Sequence, residues 1–160
     1  MRRDRLAFAY LNGVKTSAMD FNGKTVVAEP RVGVGVLVVN RHGDVLLSLR
    51  KRPPEAGCWS IVGGKVEFME RLTDAAKREA LEETGLEVAL ERLLGVTDHL
   101  LPDENDHWVA SAYLAYVVGG TLRNAEPEKT AAVQFSALDK LPENLTLTAR
   151  NALELLGAVQ

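Results

Sequence analysis

The sequence predicts one domain of the α/β (α+β) class, built on a mixed β-sheet with two separated helices. Its length of 160 residues suits one domain and is short for two. Hydrophobic residues make up 46% and charged residues 26%, as expected of a globular protein with a sizeable core. Strand-like segments outnumber helical ones, and the two helical segments lie far apart in the chain.

Cysteine content and charge exclude several other classes of protein. Cys58 is the only cysteine, so a disulfide-rich secreted scaffold is excluded. The formal net charge of −3 gives no general attraction to nucleic-acid backbones or anionic membranes. The longest strongly apolar run, Val32 to Val39, is too short for a spanning helix, which needs about 20 residues. We therefore expect a cytoplasmic protein with no nucleic-acid or membrane partner.

The first 30 residues differ in character from the rest of the chain. Asn12-Gly13 and Asn22-Gly23 are turn dipeptides that would separate one or two short strands. We expect residues 1–30 to form an N-terminal extension or dimerisation strands, and residues 31–160 to form the main domain.

Strand and turn signals then alternate as far as the first helix. Val32 to Val39 is rich in β-branched residues, and Val45 to Leu49 pairs back on it after a polar turn. Trp59 to Val62 is a short strand that ends at Gly63-Gly64. Lys51 to Gly57, between the strand that ends at Leu49 and the strand that begins at Trp59, contains two prolines and is predicted to be a loop.

Leu72 to Thr84 is the strongest helical segment of the chain. Thr73 is a suitable N-cap, Asp74 lies in the first turn and Gly85 follows the last helical residue. Hydrophobic alternation or helical periodicity predicts the remaining elements. These are the strands Glu87 to His99, Trp108 to Val118 and Ala131 to Phe135, and the helix Thr146 to Leu156.

Three glutamates of the first helix share one face. Glu79, Glu82 and Glu83 have i, i+3, i+4 spacing, which places neighbouring Cβ atoms about 6 Å apart. Their charges repel, and they lie near the helix C-terminus, where the macrodipole disfavours negative charge. One interpretation is a solvated face with Arg78 as an ion-pair partner. The other is a site for Mg²⁺ or Mn²⁺, hard cations that prefer clustered carboxylate oxygens.

The segment before the helix favours the metal site. Gly63-Gly64 lets the backbone turn sharply beside a ligand, Glu70 adds a fourth carboxylate, and Arg78 can hold two carboxylates by bidentate contacts. The segment 64–86, GKVEFMERLTDAAKREALEETGL, resembles the signature of the Nudix hydrolase family, the Nudix box. The resemblance extends over Arg31 to Leu156. The residues that match fixed positions of the box are Gly64, Glu70, Arg78, Glu79, Glu82, Glu83 and Gly85.

The resemblance implies a fold, a reaction and a set of site residues. The fold is a mixed β-sheet sandwiched between helices (α/β/α). The reaction is hydrolysis of a nucleoside diphosphate linked to a group X, with Mg²⁺ or Mn²⁺ as cofactor. The implied metal ligands are Glu79, Glu82, Glu83 and the Gly63 carbonyl. The implied catalytic residues are Glu79 or Glu82 as general base, Arg78 to orient the glutamates and Lys65 to assist phosphate or base.

Two segments outside the box supply further candidates. In related enzymes an acid in a late loop is a further ligand or base, which implies a role for Glu128, ahead of its neighbour Glu126. Arg50, Lys51 and Arg52 form a basic patch where a triphosphate tail could lie, although the patch also suits the solvated end of a hairpin. His107 is a candidate substrate contact beside a polar loop.

Phe135 is a candidate to stack on a base, although an aromatic residue that alternates along a strand more often belongs to the core.

The favoured function is a nucleoside triphosphate pyrophosphohydrolase that releases a nucleoside monophosphate and pyrophosphate. The alternative is an ADP-ribose or nucleotide-sugar pyrophosphatase, in which extra N-terminal strands often build a dimer around the adenosine. A Nudix-fold binding or regulatory module without catalysis is the remote third, because such modules tend to lose box glutamates. The expected partners are a nucleotide-type small molecule and, in a homodimer, a second copy.

Overall fold

The structure is a computed structural model that describes residues 8–11, 14–19, 25–27, 29–102 and 106–157. The chain divides into two compact units, residues 1–31 with 98–109 and residues 32–97 with 110–160. The first unit contains a three-stranded antiparallel sheet, β1 (Phe8–Leu11), β2 (Val14–Met19) and β3 (Thr25–Val27), in that order. Both predicted turns, Asn12-Gly13 and Asn22-Gly23, lie outside the described residues. The division of the chain at residue 30 stays a prediction.

The larger sheet has seven strands within the described ranges. Its order is β10-β5-β4-β9-β8, with β6 paired to β5 and β7 paired to β4. The two helices are α1 (Leu72–Thr84) and α2 (Leu147–Leu156). The strands are β4 (Arg31–Val39), β5 (Val45–Arg50), β6 (Trp59–Ser60), β7 (Val62–Lys65), β8 (Leu86–Leu101), β9 (Asp106–Gly120) and β10 (Thr130–Ser136).

The two helices pack against opposite faces of β4, because successive side chains of a strand point to opposite sides. Val36 belongs to a buried cluster that contains Ala76 of α1, whereas its neighbour Leu37 belongs to a cluster that contains Leu153 of α2. All four side chains are fully buried. The structure therefore confirms the predicted mixed α+β architecture of a sheet between helices.

The helix ends follow their local sequence except at the N-terminus of α1. Gly85 ends α1 in the left-handed region, where its N–H donates to the Leu81 carbonyl. Thr146 caps α2 by accepting from the Ala149 N–H. The expected N-cap of α1, Thr73, is wrong, because Arg71 occupies that position without a side-chain cap. None of the helices in the described part of the chain is long and apolar enough to span a membrane.

Candidate active site

Gly63 and Gly64 bring α1 close to the sheet. They pair with Gly35 and Val34 on β4, so β7 continues through them instead of ending there as the sequence predicts. A Cβ on Gly63 would overlap the Val34 carbonyl oxygen. A Cβ on Gly64 would lie 2.5 Å from the carboxyl carbon of Glu79. Glycine at these two positions therefore leaves room for the β4 backbone on one side and for a carboxylate of α1 on the other.

Arg78 fixes the orientation of three carboxylates. Its Nε lies 2.8 Å from Glu70 Oε1, and its Nη2 lies 2.9 Å from the other oxygen of the same carboxylate. Its Nη1 reaches Glu79 at 2.8 Å and Glu82 at 3.0 Å, and Nη2 also donates to the Lys65 carbonyl. The guanidinium, with help from the Glu67 N–H, lowers the pKa of Glu70 to about 2. Glu70 therefore braces the loop before α1 through its contacts with Arg78 and the Glu67 N–H.

The pKa values of Glu79 and Glu83 are raised above the ordinary value of a glutamate. Burial raises the pKa of Glu79 despite its contact with Arg78. Burial, and then the nearby charge of Glu79, raises the pKa of Glu83 to about 8. Glu83 accepts a hydrogen bond from the Gly63 N–H at 3.3 Å, which partly offsets this effect. A bound cation would stabilise both groups in their ionised form.

Both glutamates line a cavity of about 420 Å³, which we call the carboxylate cavity. Its walls carry three carboxylates and four cations, so opposite charges share one solvent-filled space. The carboxylates belong to Glu79, Glu83 and Glu126, and the cations to Arg50, Arg52, Lys65 and Lys129. The remaining lining residues are Ser48, Pro53, Ile61, Gly63, Gly64 and Thr130.

The late acidic residue in this cavity is Glu126. Its carboxylate accepts from the Lys129 ammonium at 2.6 Å, and its side chain is 26% exposed. Glu128, which the sequence favours for this role, is exposed and is not among the lining residues. Lys129 and Thr130 both donate their N–H groups to the Glu126 carbonyl, so the loop turns between residues 126 and 130. The direction of a side chain within such a turn depends on tertiary contacts, and no sequence pattern distinguishes Glu126 from Glu128.

The predicted basic patch divides between the cavity and the adjoining loop. Arg50 lines the cavity while its Nε donates to the Pro54 carbonyl, and Arg52 lines it as well. Lys51 instead donates its Nζ to the Pro127 carbonyl and its N–H to the Lys129 carbonyl. Lys51 therefore ties the loop after β5 to the loop that carries Glu126.

Three other predicted residues lie away from the cavity lining. Glu82 is 55% exposed and contacts Arg78. Phe135 is partly buried and packs against the core cluster on the α1 side of the sheet. His107 belongs to the smaller unit, where its Nε2 lies 4.0 Å from Asp98.

The donor set fits a hard divalent cation. Across residues 29–102 and 106–157, no group of three or more His, Cys, Asp or Glu side chains is arranged to hold a metal ion by itself. Mg²⁺ is usually bound by one or two carboxylates together with substrate phosphates, and a closed protein cage is not required. Glu79 and Glu83 are partly buried carboxylates of this kind beside the Gly63-Gly64 backbone.

The fold and the cavity define the class of protein. It is an α+β domain in which carboxylates of helix α1 lie beside two glycines of strand β7. The sequence model of the NUDIX domain matches residues 29–156. The chain belongs to the Nudix hydrolase family.

Two relatives and one solved structure show the extent of the similarity. The ADP-ribose pyrophosphatase of Methanocaldococcus jannaschii is 34% identical over 106 residues, which cover 66% of this chain and 62% of that protein. The chain thus spans less than two thirds of the length of this relative. The oxidized purine nucleoside triphosphate hydrolase of Danio rerio is 53% identical over 53 residues, 33% of each chain. A MutT NUDIX hydrolase from Burkholderia pseudomallei is 48% identical and superposes with a TM-score of 0.73, covering 80% of this chain and 98% of its own.

Proposed function

We propose that this protein is a divalent-metal-dependent pyrophosphohydrolase that cleaves nucleoside triphosphates to a nucleoside monophosphate and pyrophosphate. The observation that carries the proposal is the carboxylate cavity, where two partly buried glutamates of the Nudix box face four cationic side chains. A triphosphate is a dense polyanion, and Arg50 and Arg52 present two fixed positive charges to it. The similarity to an oxidized purine nucleoside triphosphate hydrolase supports this substrate class.

In the proposed site, Glu79, Glu83 and the Gly63 backbone hold Mg²⁺ or Mn²⁺. When bound, the cation neutralises phosphate charge and lowers the pKa of a coordinated water. Arg78 keeps Glu79 in place through its 2.8 Å contact. Of the two box glutamates that the sequence offers as general base, Glu79 lines the cavity and Glu82 does not. Glu79 therefore takes the proton of the attacking water as the new phosphorus–oxygen bond forms and pyrophosphate leaves.

Three further roles belong to the proposal. Arg50 and Arg52 bind the phosphate tail, and Lys65, whose carbonyl is fixed by Arg78, extends this basic wall. Glu126 is the late acidic residue that approaches the cation. We also propose a cytoplasmic location, where nucleoside triphosphates and Mg²⁺ are abundant. A homodimer stays a prediction.

ADP-ribose is the second candidate substrate, because a specific observation favours it. The relative from Methanocaldococcus jannaschii is named as an ADP-ribose pyrophosphatase. The chain also has a three-stranded N-terminal sheet, β1–β3, and the family resemblance implies that such enzymes often carry extra N-terminal strands. On this substrate the cleaved bond is the diphosphate link, and the products are AMP and ribose 5-phosphate.

A substrate panel with product analysis tests both candidates. Purified protein is incubated with Mg²⁺ and each of the dNTPs, NTPs, ADP-ribose and nucleotide sugars, and products are separated by ion-exchange chromatography. A monophosphate with pyrophosphate supports the main proposal, whereas AMP from ADP-ribose favours the second. Lack of turnover on every substrate would refute both and leave a binding module.

A further inference from the structure

Lys129 places a positive charge against one of the three carboxylates of the carboxylate cavity. Its Nζ lies 2.6 Å from Glu126 Oε1, and the side chains are 52% and 26% exposed. Its positive charge also acts on Glu83, where it opposes the effect of burial on the carboxyl pKa. The ammonium therefore interacts with two of the three carboxylates that line the cavity.

The backbone holds Lys129 in this position. Its N–H donates to the Glu126 carbonyl at 3.0 Å, which closes the turn. Its carbonyl accepts from the Lys51 N–H at 2.8 Å, which ties the turn to the end of β5. The ammonium is thus carried by an anchored backbone, whereas its own side chain remains half exposed and able to turn.

We propose that Lys129 is an internal counter-cation of the carboxylate cavity, which competes with the divalent cation for Glu126 and turns to the substrate phosphates once that cation binds. The inference rests on the proposed function, because it assigns Lys129 a role at the same metal site. It makes Lys129 a positioning residue for Glu126 in the metal-free protein and a phosphate contact in the complex.

The exchange has two consequences of opposite sign. Loss of the ammonium removes a competitor, so the divalent cation should bind more tightly. It also removes a positive charge from the cavity wall, so the anionic substrate should bind more weakly. A lysine with a merely structural role would not shift the two affinities in opposite directions.

Calorimetric titration with Mn²⁺ and steady-state kinetics test this in the full chain. Lys129→Met should bind Mn²⁺ up to about fivefold more tightly, since an exposed ion pair contributes at most about 1 kcal/mol. Its KM for a nucleoside triphosphate should rise severalfold, with kcat within about threefold of wild type. Lys129→Arg retains the charge and should restore both values. Lys140→Met, on an exposed lysine outside the cavity, is the matched control and should change neither.

A second background isolates the competition. In Glu126→Gln the ion pair is already lost, so adding Lys129→Met should tighten Mn²⁺ binding by clearly less than it does in the wild-type background. Unchanged or weaker Mn²⁺ binding by Lys129→Met in an otherwise active enzyme overturns the inference and leaves the proposed function intact. Absence of Mn²⁺ binding by the wild-type protein overturns the metal-dependent function itself, and the inference with it.

Discussion

Gly64→Ala should separate the geometry of the site from the stability of the fold. The new Cβ would lie 2.5 Å from Glu79 Oε1 and 2.6 Å from Oε2, whereas ordinary contacts begin at 3.4 Å. The carboxylate must therefore withdraw by about 1 Å. The group that must move is the far end of a flexible side chain, so the backbone of β7 can stay in place.

The size of the effect follows from this displacement. A misplacement of about 1 Å in a catalytic constellation can lower the rate by about 100-fold. The free energy of unfolding should change by less than about 1 kcal/mol, because alanine replaces glycine without a positive backbone φ. We therefore expect kcat to fall by about 100-fold in a protein that melts within a few degrees of wild type.

The assay compares two alanine variants by kcat and by thermal melting monitored with circular dichroism. Gly119→Ala on β9 is the matched control, because its Cβ would lie 2.9 Å from the Glu87 carboxylate, which is outside the cavity lining. It makes the same chemical change and should retain the wild-type rate. A Gly64→Ala enzyme with kcat within threefold of wild type would refute the claim that Glu79 must lie against Gly64.

Four further predictions follow from the same contacts. Glu83→Gln should lower kcat by at least 100-fold, because Glu83 lines the cavity. Glu82→Gln should lower kcat by less, because Glu82 is exposed. Initial rates in the reverse order would refute Glu83 as a metal ligand. Gly63→Ala should lower the melting temperature strongly, since its Cβ would overlap backbone; an unchanged melting curve would contradict this. Because the folded pKa of Glu70 is lowered to about 2, its contribution to stability is complete above its ordinary pKa near 4.5 and is lost as the pH falls toward 2. Denaturant titrations should therefore show Glu70→Gln less stable at pH 7, with a difference that shrinks on acidification; a constant difference would argue against the contact with Arg78. Removal of divalent ions by EDTA should abolish turnover while the circular dichroism spectrum stays unchanged, and unfolding would show that the core depends on metal.

Much of the fold follows from local sequence patterns. Some local patterns predict the same secondary structure in most tertiary contexts. Examples are the β-branched run of β4, the alternation in β8 and β9, and Gly85 at the end of α1. The structure differs from the predicted secondary structure at β7 and at the N-terminus of α1. β7 continues through its two glycines because β4 accepts them as ladder partners, and Arg71 precedes α1 where Thr73 was expected to cap it.

The candidate site follows from the sequence only as far as its helix. The spacing of Glu79, Glu82 and Glu83 places them on one face, but it does not show which carboxylates Arg78 will contact. Arg78 contacts both Glu79 and Glu82, yet Glu79 and Glu83 line the cavity, whereas Glu82 is 55% exposed and does not. Similarly, the turn that follows Glu126 is held by Lys51, which donates a hydrogen bond to the Pro127 carbonyl. These two residues are 76 positions apart in the sequence, so a local pattern does not reveal the contact.

The charge arrangement is compatible with the proposal that a chain with a net charge of −3 binds a triphosphate. Its acidic excess is spread over the whole molecule, whereas the carboxylate cavity carries four cations and three carboxylates. Burial, and then repulsion from Glu79, raises the pKa of Glu83, which disfavours the negative charge that a phosphate would meet. A divalent cation at Glu79 and Glu83 would make the cavity strongly positive while restoring both carboxylates to their ionised form. The charges of Glu79 and Glu83 would thus repel a phosphate in the metal-free protein. With a cation bound to them, the same two residues would help to attract it.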